Sequence, residues 1–162
     1  MEFLASAYHH KYGIDTVTAR CFAFVGPGLP LDQHFAIGNF IRDALQEEQI
    51  RIRGDGTAVR SYLYGADLAI WLLKLLVSGA SSTSYNVGSD QYVNLKELAQ
   101  RVVDVLSPGK PVVVESKAPL STDLRSLYVP AIELAKNTQG LDVWTPLEKA
   151  IRLTADYHLA RE

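Results

Sequence analysis

The chain has a single cysteine, Cys21, among 162 residues. One thiol excludes an internal disulfide framework and fits a reducing, cytoplasmic setting. Four scattered histidines, His9, His10, His34 and His158, give no ligand spacing of the zinc type with that cysteine. Neither sign of charge dominates, since the net charge is −2. Nothing calls for nucleic acid or an anionic membrane as a partner. Long apolar runs are missing as well. The most apolar stretch, Leu68 to Val77 ("LAIWLLKLLV"), carries Lys74 and is too short to span a bilayer, so it reads as a buried helix. The opening "MEFLASAYHHKYG" has no basic segment followed by a continuous apolar core, and no secretory signal is read there.

Glycine-based phosphate motifs are also lacking. Gly26-Gly28 and Gly54-Gly56 have the spacing that starts G-x-G-x-x-G, but Leu31 and Val59 stand where the third glycine belongs. There is no G-x-x-x-x-G-K-[ST] and no G-x-S-x-G. A Y-x-x-x-K match runs from Tyr92 to Lys96. Its chemistry needs both residues on one helical face, where the lysine lowers the tyrosine's pKa. Asn94 and Glu97 form a capping box that starts the helix at Asn94, leaving Tyr92 outside it. The match is read as non-catalytic.

What is present is ordinary for one globular domain: 48% hydrophobic and 21% charged residues. Phe3 to Tyr12 is predicted helical, with Leu4, Tyr8 and Tyr12 on one face and Gly13 as the stop. Thr16 to Val25 ("TVTARCFAFV") has the pattern of a strand buried on both faces. "GPGLP" breaks the chain, and an amphipathic helix follows Asp32, with Ile37, Phe40, Ile41, Ala44 and Leu45 at helical spacing. "IRIRG" (50–54) is a short alternating strand. Further strands are predicted at "SYNVG" (84–88) and "VVVES" (112–116), and a helix ends at Gly140. In the last helix, Thr145 is the predicted cap, Pro146 the first position and Glu148 the third. Alternating helices and short strands give an α/β fold.

In that order, four stretches resemble a known family: "RCFAFVGPGLP", "RGDGTAVRSYLYGADLA", "SYNVGS" followed by a capped helix, and "YVPAIELAKNTQGLDVWTPLEKAIRLTADY". Together they are similar to the C-terminal part of an extended short-chain dehydrogenase/reductase of the NAD-dependent nucleotide-sugar epimerase/dehydratase type. Within it, "FAFVGPGLPLDQHFAIGNFI" looks closest to bacterial 4,6-dehydratase-like or surface-polysaccharide sugar enzymes. The resemblance implies the end of a Rossmann-type parallel sheet joined to a small mixed α/β substrate-binding lobe. Residues 1–30 would be the Rossmann remnant and 31–162 mainly the lobe, with returning Rossmann elements near 61–80.

It also implies site residues, each with a plainer alternative. The arginine after "GDG", Arg60, grips the substrate pyrophosphate in the family, and a permanently charged planar fork suits phosphate oxygens. Otherwise it is a surface arginine beside a turn. Asn39 gives its amide to the diphosphate, or is a polar residue on the solvent side of its helix. Asn86 lies near the nucleotide, or simply precedes a turn. Arg125 resembles a second phosphate-binding arginine, and Arg53 lines the base pocket or is the exposed half of an alternating strand. Cys21 and Phe22 edge the nicotinamide of NAD, or pack in the core. Three positions depart from the family: Ser61 where many relatives have aspartate, Ala23 where asparagine often stands, and Val25 where tyrosine is common.

The family's glycine-rich NAD half and its catalytic lysine would precede Met1. The expectation is therefore a fragment that binds a nucleotide-diphosphate sugar, holds NAD poorly by itself and shows no turnover. A non-catalytic stand-alone binding or assembly subunit is the alternative. Unpaired strand edges would favour a homo-oligomer or a swapped assembly.

Overall fold

The computed structural model describes residues 1–115 and 127–161. Helix α1 (Glu2–Tyr12) ends on Gly13, whose φ of 66° is the left-handed conformation glycine enters without a Cβ clash. It is followed by β1 (Val17–Cys21), β2 (Phe24–Val25), α2 (Ala36–Gln46), β3 (Ile50–Ile52), β4 (Val59–Ser61) and β5 (Leu63–Tyr64). Then come α3 (Gly65–Ser78), β6 (Thr83–Val87), β7 (Tyr92–Asn94), α4 (Leu95–Leu106) and β8 (Val112–Val114). The described chain closes with β9 (Leu127–Tyr128), α5 (Glu133–Gln139) and α6 (Leu147–Leu159).

Parallel pairing dominates, as expected when helices form the crossovers. Strand β1 pairs with β6, β2 with β5, and β3 with β8, all parallel. Strand β4 lies between β7, antiparallel to it, and β9, parallel to it. The predicted capping box is formed. Asn94 accepts from the Glu97 N–H at 2.9 Å, and Glu97 accepts from the Asn94 N–H at 3.1 Å. Tyr92 sits on β7 and Lys96 on α4, so the Y-x-x-x-K pair does not share a helical face.

Two cores form. In the first, Ile37 and Ile41 of α2, Leu98 and Val102 of α4 and Ile151 of α6 are fully buried together with Ile50 and Ile52 of β3. The second gathers Leu63, Trp71, Leu75, Tyr85 and Ile132, and the Trp71 indole N–H donates to the Asp142 carbonyl at 2.9 Å.

Four expectations need correction. The 16–25 strand is two pieces: β1 is half-buried as far as Ala19, and Arg20 and Cys21 are exposed. Among the described residues β1 has one strand neighbour, β6, so only one edge is covered. The predicted face of α1 is not a core face, since Leu4, Tyr8 and Tyr12 are all exposed and α1 buries no residue. The "buried" helix α3 places Trp71 and Leu75 inside but leaves Ile70, Leu72, Leu73, Leu76 and Val77 exposed. Finally, α6 begins at Leu147 with Pro146 as its cap residue. Thr145 instead donates through its N–H and hydroxyl to the buried Asp67 carboxylate, at 2.9 and 3.0 Å. That bond ties the start of α6 to the start of α3, and satisfying a buried carboxylate outweighs one helix cap.

Candidate functional site

A cavity of about 510 Å³ opens between α2, β3 and the 32–34 loop. Local sequence explains its walls. Gly38 lets α2 come down on the "GPGLP" loop, because a Cβ there would lie 2.7 Å from the Pro30 carbonyl oxygen. In β3, Ile50 and Ile52 point into the core, so the alternate residue Arg51 and the following Arg53 turn outward. Both arginines line the cavity, as do His34, Asn39 and Glu47. Helix α2 has no side-chain cap, and its amino end reaches the cavity at Ala36. Uncapped N–H groups there favour an anion.

A hydrogen-bond network holds the cavity floor. Asp43 is only 4% exposed. Its Oδ1 accepts from Arg42 Nε and Nη2 at 3.1 and 2.6 Å, and its Oδ2 accepts from the Arg51 N–H at 3.2 Å. Arg42 Nη1 also donates to the Leu31 carbonyl at 3.3 Å and to Asn39 Oδ1 at 3.2 Å. The loop, α2 and β3 are thereby tied at one point. At the far end of α2, Lys110 Nζ donates to the carbonyls of Asp43, Ala44 and Glu47 at 3.1, 2.5 and 2.6 Å. A cation at a helix carboxyl end is favourably placed.

Arg60 lies half-buried on the central strand β4, where its Nη1 donates to the Val59 carbonyl at 2.7 Å. Burial pushes the nearby Tyr62 phenol up to about 12, and the Arg60 charge offsets part of that rise. Arg60 is in register with Tyr128, whose ring lies 4.9 Å from that of Phe22. Phe22 in turn donates its N–H to the Val87 carbonyl at 3.0 Å. Cys21 is exposed opposite Val87. Asn86 uses its amide to donate to the Ala131 carbonyl at 2.9 Å, holding the segment before α5. A Cβ at Gly88 would come within 2.7 Å of the Pro130 ring, so the bare glycine admits that segment.

The predicted residues thus fall into two groups. Asn39 and Arg53 share the cavity. Cys21, Phe22 and Asn86 gather at the carboxyl ends of β1 and β6, the edge where ligands bind in parallel α/β sheets. Arg60 meets that second group through Tyr128. Arg125 lies outside the described residues. Sequence reasoning missed Arg42, although its spacing of three from Asn39 on a helix was a usable signal. His34 lies in the loop and is exposed, at the border of the cavity.

The residues present do not by themselves fit NAD. No strand-to-helix turn carries G-x-G-x-x-G, the Phe22 ring already packs at a tilt against Tyr128, and Cys21 offers only an exposed thiol. Among the described residues no group of three or more His, Cys, Asp or Glu side chains is arranged to hold a metal ion. No described helix is long and apolar enough to cross a membrane.

Known proteins give this geometry its context. UDP-glucuronic acid decarboxylase 3 of Arabidopsis thaliana is 30% identical over 148 residues, which is 91% of this chain and 41% of that protein. The structure of a UDP-glucose 4-epimerase from Thermotoga maritima, solved with UDP-glucose, superposes with a TM-score of 0.86 at 22% identity. That match covers 99% of this chain and 51% of the epimerase. The Bordetella bronchiseptica enzyme WbmF, solved with NAD+ and UDP, matches with a TM-score of 0.81 at 21% identity, over 99% of this chain and 50% of its own. At such identities the structural matches establish the Rossmann-like α/β fold. The chain spans about half the length of these solved relatives and less of the curated decarboxylase. The model of the NAD dependent epimerase/dehydratase family matches residues 1–88, more than half of the sequence, and this chain belongs to that family.

Proposed function

We propose that this chain is the nucleotide-sugar-binding portion of a cytoplasmic NAD-dependent enzyme acting on a UDP-sugar, of the kind represented by the UDP-glucuronic acid decarboxylases. The observation that carries this reading is the shared cavity. Asn39 and Arg53, both implied by the one family resemblance, line one space of about 510 Å³, within the range of small-ligand sites. The amide of Asn39, the Arg53 guanidinium and the amino end of α2 supply donors for diphosphate oxygens and base carbonyls. Arg60 is the pyrophosphate clamp in this reading. Its strand is paired on both sides, which fixes its backbone, and the Nη1 bond to the Val59 carbonyl restrains the fork, so less side-chain freedom is lost on binding. UDP is favoured over other nucleotides because the relatives above carry it in their names or their structures.

The role of these side chains is to bind and orient. No hydride or proton transfer is assigned to them, because this sequence contains neither the glycine-rich turn nor a usable Y-x-x-x-K. A polypeptide of this sequence binds the nucleotide without converting it.

Isothermal titration of the 162-residue chain with UDP and with UDP-glucuronate tests the reading. Saturable binding is expected, and Arg60→Ala should weaken it about 10- to 100-fold, the scale of one lost charge-assisted hydrogen-bond set. Heat flow from neither ligand at millimolar concentration would defeat the proposal. An unchanged affinity in Arg60→Ala would remove the clamp from it.

A further inference from the structure

We infer that Arg42 is a positioning residue, which locks Asn39 with its amide nitrogen turned into the cavity and so makes residue 39 a donor for an acceptor such as a phosphate oxygen. The inference rests on the nucleotide-binding reading above and concerns how that site chooses its ligand. A guanidinium has only donors, five N–H groups and no acceptor. Arg42 Nη1 lies 3.2 Å from the Asn39 side chain, so the atom facing it must be the oxygen. The flipped amide would set N–H against N–H. With Oδ1 engaged, the NH2 group is what remains for a ligand, and among the described residues it has no protein acceptor.

Arg42 is itself immobile enough to enforce this choice. Nε and Nη2 donate to Asp43, and Nη1 donates to Leu31 and Asn39, so four of its five N–H groups are directed at protein acceptors. Asp43 is buried and held by the backbone of β3. Arg42 borders the same cavity, yet its donors are engaged with protein rather than left for a ligand. The side chain that faces the ligand is therefore Asn39, and Arg42 decides which end of it does so.

The test uses the whole chain, labelled with nitrogen-15. The Asn39 side-chain amide pair is identified by its loss in Asn39→Ala and followed in Arg42→Met. A distinct, well-separated pair is expected in the parent chain, collapsing toward the positions of a freely rotating asparagine in the variant. In parallel, UDP affinity is measured through a double-mutant cycle. Asn39→Ala should weaken binding about tenfold in the parent chain and less than about twofold when Arg42→Met is already present, because an unoriented amide has little left to lose. If Arg42→Met does not fold, Arg42→Lys replaces it. A single ammonium cannot serve Asp43, Leu31 and Asn39 together, so the same collapse is expected. Unchanged Asn39 amide signals in the folded variant, or additive losses of UDP affinity, overturn the inference. If the parent chain does not bind UDP, the nucleotide reading falls, and the amide spectrum still decides whether Arg42 fixes Asn39.

Discussion

Helix α4 buries Leu98, Ala99, Val102 and Val103 against α2 and α6, whereas α3, richer in leucine, leaves Ile70, Leu72, Leu73, Leu76 and Val77 in solvent. The more apolar helix is the less buried one, so burial here is set by what surrounds each helix rather than by how apolar it is. The α2–α4–α6 layer closes on itself over β3 and β8, and each apolar stripe there finds another stripe. On the other side, α3 and β1 enclose an open groove of about 430 Å³ lined by Val17, Ala19, Leu72, Leu76 and Val77. Leu76 and Val77 remain 79% and 84% exposed. The candidate site follows the same division. Its cavity belongs to the closed layer, and the Cys21–Phe22–Asn86 group belongs to the rim of the open one.

The largest test of the contrast is a pair of truncations. Leu98→Ala should cost about 2–5 kcal/mol, since a buried leucine loses both transfer energy and packing. Leu76→Ala should stay within about 0.5 kcal/mol, as for any surface change. Urea denaturation of both variants reads the difference. Equal losses would mean that the α3 face is covered in solution and that the contrast is false.

Gly38→Ala sharpens the account of the closed layer. Alanine in a helix gains about 1 kcal/mol over glycine by propensity alone. Here the added methyl meets the Pro30 carbonyl at 2.7 Å, backbone rather than a flexible side-chain end. A net loss of about 1–2 kcal/mol is expected, with weakened UDP binding because the cavity wall moves. Thermal melts and the UDP titration together check it, and a stabilised variant would show that α2 does not depend on this approach.

The smallest effect probes the open half. Helix α1 is held to β1 by Glu2, whose carboxylate accepts from Arg20 Nε and Nη2 at 2.8 and 2.5 Å. The Arg20 guanidinium holds the Glu2 carboxyl below its usual value of 4.5. A carboxylate with a lowered pKa in the folded state contributes stability above 4.5 that disappears as the pH falls through the lowered value. The pair is exposed and small in its effect. Hydrogen exchange in α1 should therefore quicken on moving from pH 6 to pH 3 relative to α4, after correction for intrinsic rates. Glu2→Gln should remove that dependence. Exchange that keeps pace with α4 at both pH values would mean that α1 is anchored by something else.

How much of this was legible in the sequence varies with the range of the interaction. The capping box at Asn94 and Glu97 and the Gly13 and Gly140 stops are local, and each forms as read. Thr145 has the right neighbours for a cap and does something else, because Asp67 comes from far along the chain to take its hydrogen bonds. For the site, the residue types of Asn39 and Arg53 were readable. Their meeting in one cavity depends on the Gly38 approach and the outward half of β3. Arg42 escaped notice because its importance lies in three acceptors, of which Leu31 lies eleven residues away.

The sequence by itself determined the α/β class, the helix boundaries set by caps and glycines, the family, and the residue types able to meet a diphosphate. These rest on backbone preferences and short-range periodicity, which act within a few residues. Only the tertiary structure decided which apolar faces are covered, which end of Asn39 meets the cavity, and that Arg60 reaches the Phe22–Asn86 rim through Tyr128. Burial and hydrogen-bond partnership belong to pairs of surfaces, and the second member of each pair is found only when the chain has folded.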